Sequence, residues 1–124
     1  MKQHLRFLVS MLTRDNRLSH KKDFARLFSK GRSFYGQGMM MKVVANTRSA
    51  TRVGFVVSTK VSKKAVVRNL LKRRMREIVK KNIHDILGGI DIVFLTKPEI
   101  AKFSFQELEQ TLCFLLKKAG ILRQ

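Results

Sequence analysis

The sequence predicts a single α+β domain, an αββαβα sandwich. Three observations carry that prediction: a hydrophobic period that switches between 3.6 and 2 along the chain, β-prone runs bracketed by polar turns, and enough apolar material for one core. Hydrophobic residues fill 44% of the 124 positions and include nine Phe. Such a composition separates the chain from a disordered basic tail. Residues 1–12 show no clear period and are expected to form a disordered N-terminal extension, with Met11 as an alternative start. The domain itself is expected over residues 13–120.

The elements follow in order. Between Ser19 and Lys30, Phe24, Leu27 and Phe28 fall at i, i+3 and i+4, and Gly31 stands where a helix ends. Met39–Ala45 and Val53–Thr59 are β-prone runs, and the intervening Asn46-Thr47-Arg48-Ser49 reads as the polar turn of an antiparallel hairpin. After Val61 the period becomes helical, with Ser62 available as a cap and Val67, Leu71, Met75, Ile78 and Val79 on one face. Gly88-Gly89 is expected to stop this helix. Ile90–Thr96 then reads as a largely buried strand ended by Lys97-Pro98. Ser104 and Glu107 have capping-box spacing, and the helix they open repeats Leu108, Leu112, Leu115 and Leu116 before Lys117, Lys118 and Gly120 close it.

Charge points to the partner. Twenty-seven Lys and Arg against eight Asp and Glu give a net +19, which suits a polyanion. The excess is not spread evenly: residues 1–82 hold 22 cations and three acids, residues 83–124 five of each. Between Lys60 and Lys81 ten cations face Glu77 alone. Arg68, Lys72 and Arg76 form an i, i+4 row beside Asn69, Arg73 and Lys80. A merely solvated helix face would interleave acids to relieve like-charge repulsion, whereas a phosphate-binding face would not.

Other chemistry finds little support. One Cys (Cys113) and scattered His4, His20 and His84 give no disulfide and no metal-ligand spacing. The acids are isolated, so a protein-held metal nuclease site is not expected and no catalytic residue is assigned. No apolar run approaches the roughly 20 residues of a membrane helix, and no signal-peptide pattern is present. The expectation is a cytoplasmic protein with no membrane association.

One family matches these features. Arg52-Val-Gly-Phe-Val-Val-Ser-Thr-Lys60, then Ala65-Val-Val-Arg-Asn69, Lys72-Arg73 and Arg76-Glu77 resemble the protein component of bacterial ribonuclease P. That family carries a Gly-Phe-x-Val-Ser-Lys-Lys strand end and an Ala-Val-x-Arg-Asn-Arg-x-x-Lys-Arg-x-x-Arg-Glu helix. The resemblance runs upstream through Arg17-Leu18, Asp23-Phe24, Phe28 and Gly31, and downstream through Asp91-Ile92-Val93 and Lys97-Pro98. It implies a ribosomal protein S5 domain 2-like fold with a left-handed βαβ crossover, where general rules favour the right-handed form.

It also implies a function: the small subunit of a ribonucleoprotein that removes the 5′ leader from precursor tRNA. Ribonuclease P RNA would perform the hydrolysis with Mg²⁺ bound by the RNA and not by the protein, and no obligate protein partner is implied. Carried over by position, Arg68, Asn69, Lys72, Arg73 and Arg76 belong to the helix that docks on RNA. Lys60, Lys63, Lys64 and Lys80 complete the candidate RNA-binding set from the cation cluster. Phe24, Phe28 and Met40 would line a cleft for the single-stranded leader, with Lys42 standing where the family often has an aromatic. Leu70 replaces the third residue of the Arg-Asn-Arg signature and Thr59 the first Lys of Lys-Lys. The alternatives are a structural or ribosomal RNA-binding protein and a protein-only nuclease.

Overall fold

A computed structural model describes residues 16–123; the expected N-terminal extension over residues 1–12 lies outside them. In chain order the elements are α1 (Lys21–Lys30), β1 (Arg32–Gly36), β2 (Met39–Ala45), β3 (Arg52–Val56), α2 (Ala65–Asn82), β4 (Ile90–Thr96) and α3 (Phe105–Lys118). Short 3₁₀ turns at Ile83–Asp85 and Pro98–Lys102 flank β4. The four strands form one sheet in the order β1-β2-β4-β3. β1, β2 and β4 pair antiparallel, while β3 runs parallel to β4 and reaches it through α2, the βαβ unit expected for the fold.

Strand alternation sends side chains to two differently filled faces. Met41 and Val43 lie opposite Phe94 and Ile92, and together with Met39 and Val53 these residues pack against Leu71, Met75, Ile78 and Val79 of α2 and Leu108, Leu112, Leu115 and Leu116 of α3. On the reverse face Val93, with Val44, Val56 and Leu95 beside it, meets Leu27 and Phe24 of α1 and Leu18. This second cluster is smaller, because one ten-residue helix covers a four-stranded sheet.

Three expectations need correction. β1 is an additional strand, and the hairpin is β1–β2, turned at Gly36–Gly38, rather than β2–β3. Gly38 has φ +75°, and a Cβ there would lie 2.8 Å from the Phe103 ring. β2 and β3 do not pair, because β4, whose residues 91–94 are buried, takes the centre of the sheet between them. The Asn46 segment is a long-range connection: the Asn46 amide donates to Ala50 O at 3.2 Å and to Asp91 Oδ1 at 2.8 Å.

The long helix also begins and ends differently. Lys64, not Ser62, is its N-cap, with Ser62 Oγ accepting from Lys64 N at 3.2 Å, and it stops at Asn82, well before Gly88. Gly31 follows α1 in an extended conformation, not a left-handed one, and its N–H donates to Leu27 O. The local signals of α3 are fully realised. Ser104 Oγ accepts from Glu107 N at 3.1 Å, Glu107 Oε1 accepts from Ser104 N at 2.9 Å, and Gly120 closes the helix at φ +73°.

Candidate nucleic-acid interface

The apolar stripe of α2 is spent on the core, so its remaining residues point along the flanks and away from it. Lys60, Lys63, Lys64, Asn69 and Arg73 are exposed, and Arg68, Lys72 and Arg76 are half-buried. Among the described residues none of these seven cations forms an ion pair; Asp23, Asp91 and Glu109 are engaged elsewhere, and Glu77, the one acid on α2, pairs with none of them. Lys81 alone of the α2 cations meets a carboxylate, Glu109 of α3, at 2.8 Å, and that bond raises the Lys81 pKa. Arg68 Nη1 donates to Ser62 O at 2.9 Å and so braces the loop that carries Lys60, Lys63 and Lys64. The result is a cationic flank with its neutralising partners removed.

Lys80 departs from the expected set. It is buried, its Nζ finds no hydrogen-bond partner among the described residues, and desolvation lowers its pKa despite the opposing pull of Glu77. An ammonium so enclosed is not presented to a phosphate.

The expected cleft residues divide between two places on the α1 side of the sheet. At the β3 edge, the Phe24 ring lies over Gly54 so closely that a Cβ there would come within 2.8 Å of it. Beside them opens a groove of about 160 Å³, lined by Phe24, Gly54, Phe55, Arg17, Lys72 and Arg76. Phe24 of α1 is thereby brought together with the half-buried row of α2. Met40 and Lys42 lie on β2, two strands from β3 and so roughly 10 Å away by strand spacing. Both are half-buried, opposite Leu95 and Val93, and Lys42 Nζ donates to Ser33 Oγ at 3.0 Å. Phe28 of α1 is 47% exposed.

Behind this face is a charged cluster that sequence reasoning missed. Arg52 donates from Nε to Asp91 Oδ1 at 2.8 Å and from Nη2 to Asp91 Oδ2 at 2.7 Å, and a third bond reaches Asp23 of α1 at 3.0 Å. Arg26 of α1 comes within 3.8 Å of Asp91 and also donates to Ala45 O. The bonds to Asp91 raise the Arg52 pKa, against the opposing effect of burial, with Asp23 adding to the rise. These contacts tie α1 to β2, β3 and β4 and set where Phe24 stands. The signal was Asp91 itself: a carboxylate inside an apolar strand requires a cationic partner.

Fold and site together define a small α+β protein that offers an unneutralised helix flank and an aromatic-lined groove along one sheet edge. The family model described as ribonuclease P matches residues 12–120. The ribonuclease P protein component of a Pseudanabaena species is 37% identical over 113 residues, covering 90% of this chain and 97% of its own length. That of Dehalococcoides mccartyi is 38% identical, covering 86% and 87%. The solved RNase P protein of Staphylococcus aureus superposes with a TM-score of 0.81 at 28% identity, covering 87% of this chain and 98% of its own. The chain belongs to the ribonuclease P protein family.

Proposed function

We propose that this protein is the small subunit of ribonuclease P, binding the catalytic RNA through the α2 flank and the 5′ leader of precursor tRNA along the α1 side of the sheet. The observation that carries the reading is the run of exposed or half-exposed cations from Lys60 to Arg76, unpaired among the described residues, beside a groove that joins Phe24 to Lys72 and Arg76. Guanidinium forks suit phosphates, and a helix packed on the sheet holds them in fixed relative positions. A half-covered sheet face with Phe24, Phe28 and Met40 offers unpaired bases apolar surface, and Lys42 adds a cation to the same side.

Hydrolysis belongs to the RNA in this reading. Among the described residues no three acidic, His or Cys side chains converge on one point. Asp23 and Asp91 are committed to Arg52, and Glu109 to Lys81. The donors among the described residues therefore do not fit a Mg²⁺ site, and ions held by the RNA would supply the activated water. The protein's part is to position: it neutralises phosphates and aligns the leader. No helix among the described residues is long and apolar enough to cross a membrane, and a cytoplasmic setting accords with a tRNA substrate.

Reconstitution at low Mg²⁺ tests the proposal. A bacterial ribonuclease P RNA supplemented with this protein should remove the leader where neither component does so alone. Equal affinity of the reconstituted complex for precursor and mature tRNA would favour a structural RNA-binding role instead. Cleavage by the purified protein without RNA would favour a protein-only nuclease.

A further inference from the structure

The outer surface of α2 is not uniformly cationic. Val66 is 79% exposed, and Leu70, one turn further at i+4, is half-buried beside it. Neither belongs to the core stripe, which is formed by Leu71, Met75, Ile78 and Val79. Val66, Asn69, Leu70, Arg73 and Arg76 together line a shallow concavity of about 620 Å³. Two apolar side chains beside two guanidinium groups and a carboxamide, on an otherwise phosphate-seeking flank, form a chemically specific surface. An apolar strip kept wet gains nothing, and leucine can neither donate to a phosphate nor release a counterion.

We infer that Val66 and Leu70 form a seat for an unstacked nucleobase of the RNA docked on α2, with Arg73 and Arg76 taking the flanking phosphates and Asn69 reading a base edge. The inference rests on the reading of α2 as the RNA-docking helix. Charge selects the occupant: Arg73 and Arg76 form no ion pair among the described residues, so a second copy of this +19 chain or a basic protein is repelled. A base is flat and apolar on its face, with polar edges and adjoining phosphates, and so matches both the apolar and the polar side chains of the concavity.

The two kinds of contact respond differently to salt. Affinity for a bacterial ribonuclease P RNA transcript would be titrated from low to high salt for the wild type, Leu70→Ala, Leu70→Arg and Arg73→Ala, with circular dichroism confirming that each is folded. Leu70→Ala should weaken binding about fivefold to tenfold at every salt concentration, leaving the slope of log affinity against log salt unchanged. Arg73→Ala should reduce the slope by about one. Leu70→Arg should steepen the slope yet bind more weakly than wild type once salt has screened the added charge.

Chemical probing should show one base protected by the wild type and exposed in Leu70→Ala but not in Arg73→Ala. Unchanged affinity in Leu70→Ala, or tighter binding by Leu70→Arg at all salt concentrations, would overturn the base seat while leaving RNA docking intact. Loss of any effect from Arg73→Ala would instead overturn the docking helix itself.

Discussion

Replacing Arg52 with methionine removes the guanidinium but leaves Asp91, which is 0% exposed, charged within the sheet. Breaking a buried ion pair in this way typically costs about 3–5 kcal/mol, because the remaining charge has lost both water and partner. The lower end applies here: Asn46 still donates to Asp91 at 2.8 Å and Arg26 stands 3.8 Å away. A chain of 124 residues has an unfolding entropy of roughly 0.26 kcal/mol/K, so a loss of about 3 kcal/mol lowers Tm by about 12 °C. Thermal unfolding followed by circular dichroism at neutral pH reads this directly. The double variant Arg52→Met with Asp91→Leu should recover more than half of the loss, since it removes both charges and keeps apolar volume. Asp23, partly open to solvent, can rehydrate. A single-variant loss under about 4 °C, or a double variant no more stable than the single, would refute the view that this cluster clamps α1 to the sheet.

Four further outcomes follow from the described geometry. Lys80→Met should raise stability by about 1 kcal/mol by removing an ammonium that lacks a hydrogen-bond partner. Because its folded pKa lies below the unfolded value, the gain should be full at neutral pH and vanish as pH climbs through the ordinary lysine pKa; RNA affinity should not fall. Gly54→Val should displace the Phe24 ring, since a Cβ alone would approach it to 2.8 Å, and should impair leader-dependent processing more than RNA docking. Processing assays and binding titrations with the RNA subunit distinguish these effects. Arg68→Ala with Arg73→Ala should weaken RNA binding in a folded protein, losing about 1 kcal/mol of stability through the Arg68 bond to Ser62 O. If on the order of six to ten phosphates are contacted, affinity should fall about 10³–10⁵-fold between 50 and 200 mM salt, and a flat response would count against phosphate contacts.

Legibility followed the range of the interactions. Ser104 and Glu107 are three residues apart and complete each other's hydrogen bonds, so spacing alone located the start of α3. The core stripe of α2 was readable for the same reason. Strand pairing was not, since β2 chooses β4, about 50 residues away, over the nearer β3 on grounds of burial that no local pattern contains. Gly-flanked Arg-Ser-Phe-Tyr carries too little apolar alternation to announce β1. In the candidate interface, Arg68, Asn69, Lys72, Arg73 and Arg76 stand along the exposed or half-exposed flanks that their spacing implied. The burial of Lys80, and the separation of Phe24 from Met40 and Lys42, depend on tertiary placement. Asp91 was the readable clue left unread, for its partner lies 39 positions upstream.

The central position of β4 also has a consequence for how the chain comes off the ribosome. β2 and β3 emerge first but have no neighbour in common until residues 90–96 arrive to lie between them. The basic helix is therefore synthesised before its platform can be assembled. A nascent chain halted near Asp85 should remain protease-sensitive, and collapse should be late and cooperative, as expected where long-range pairing must close large loops.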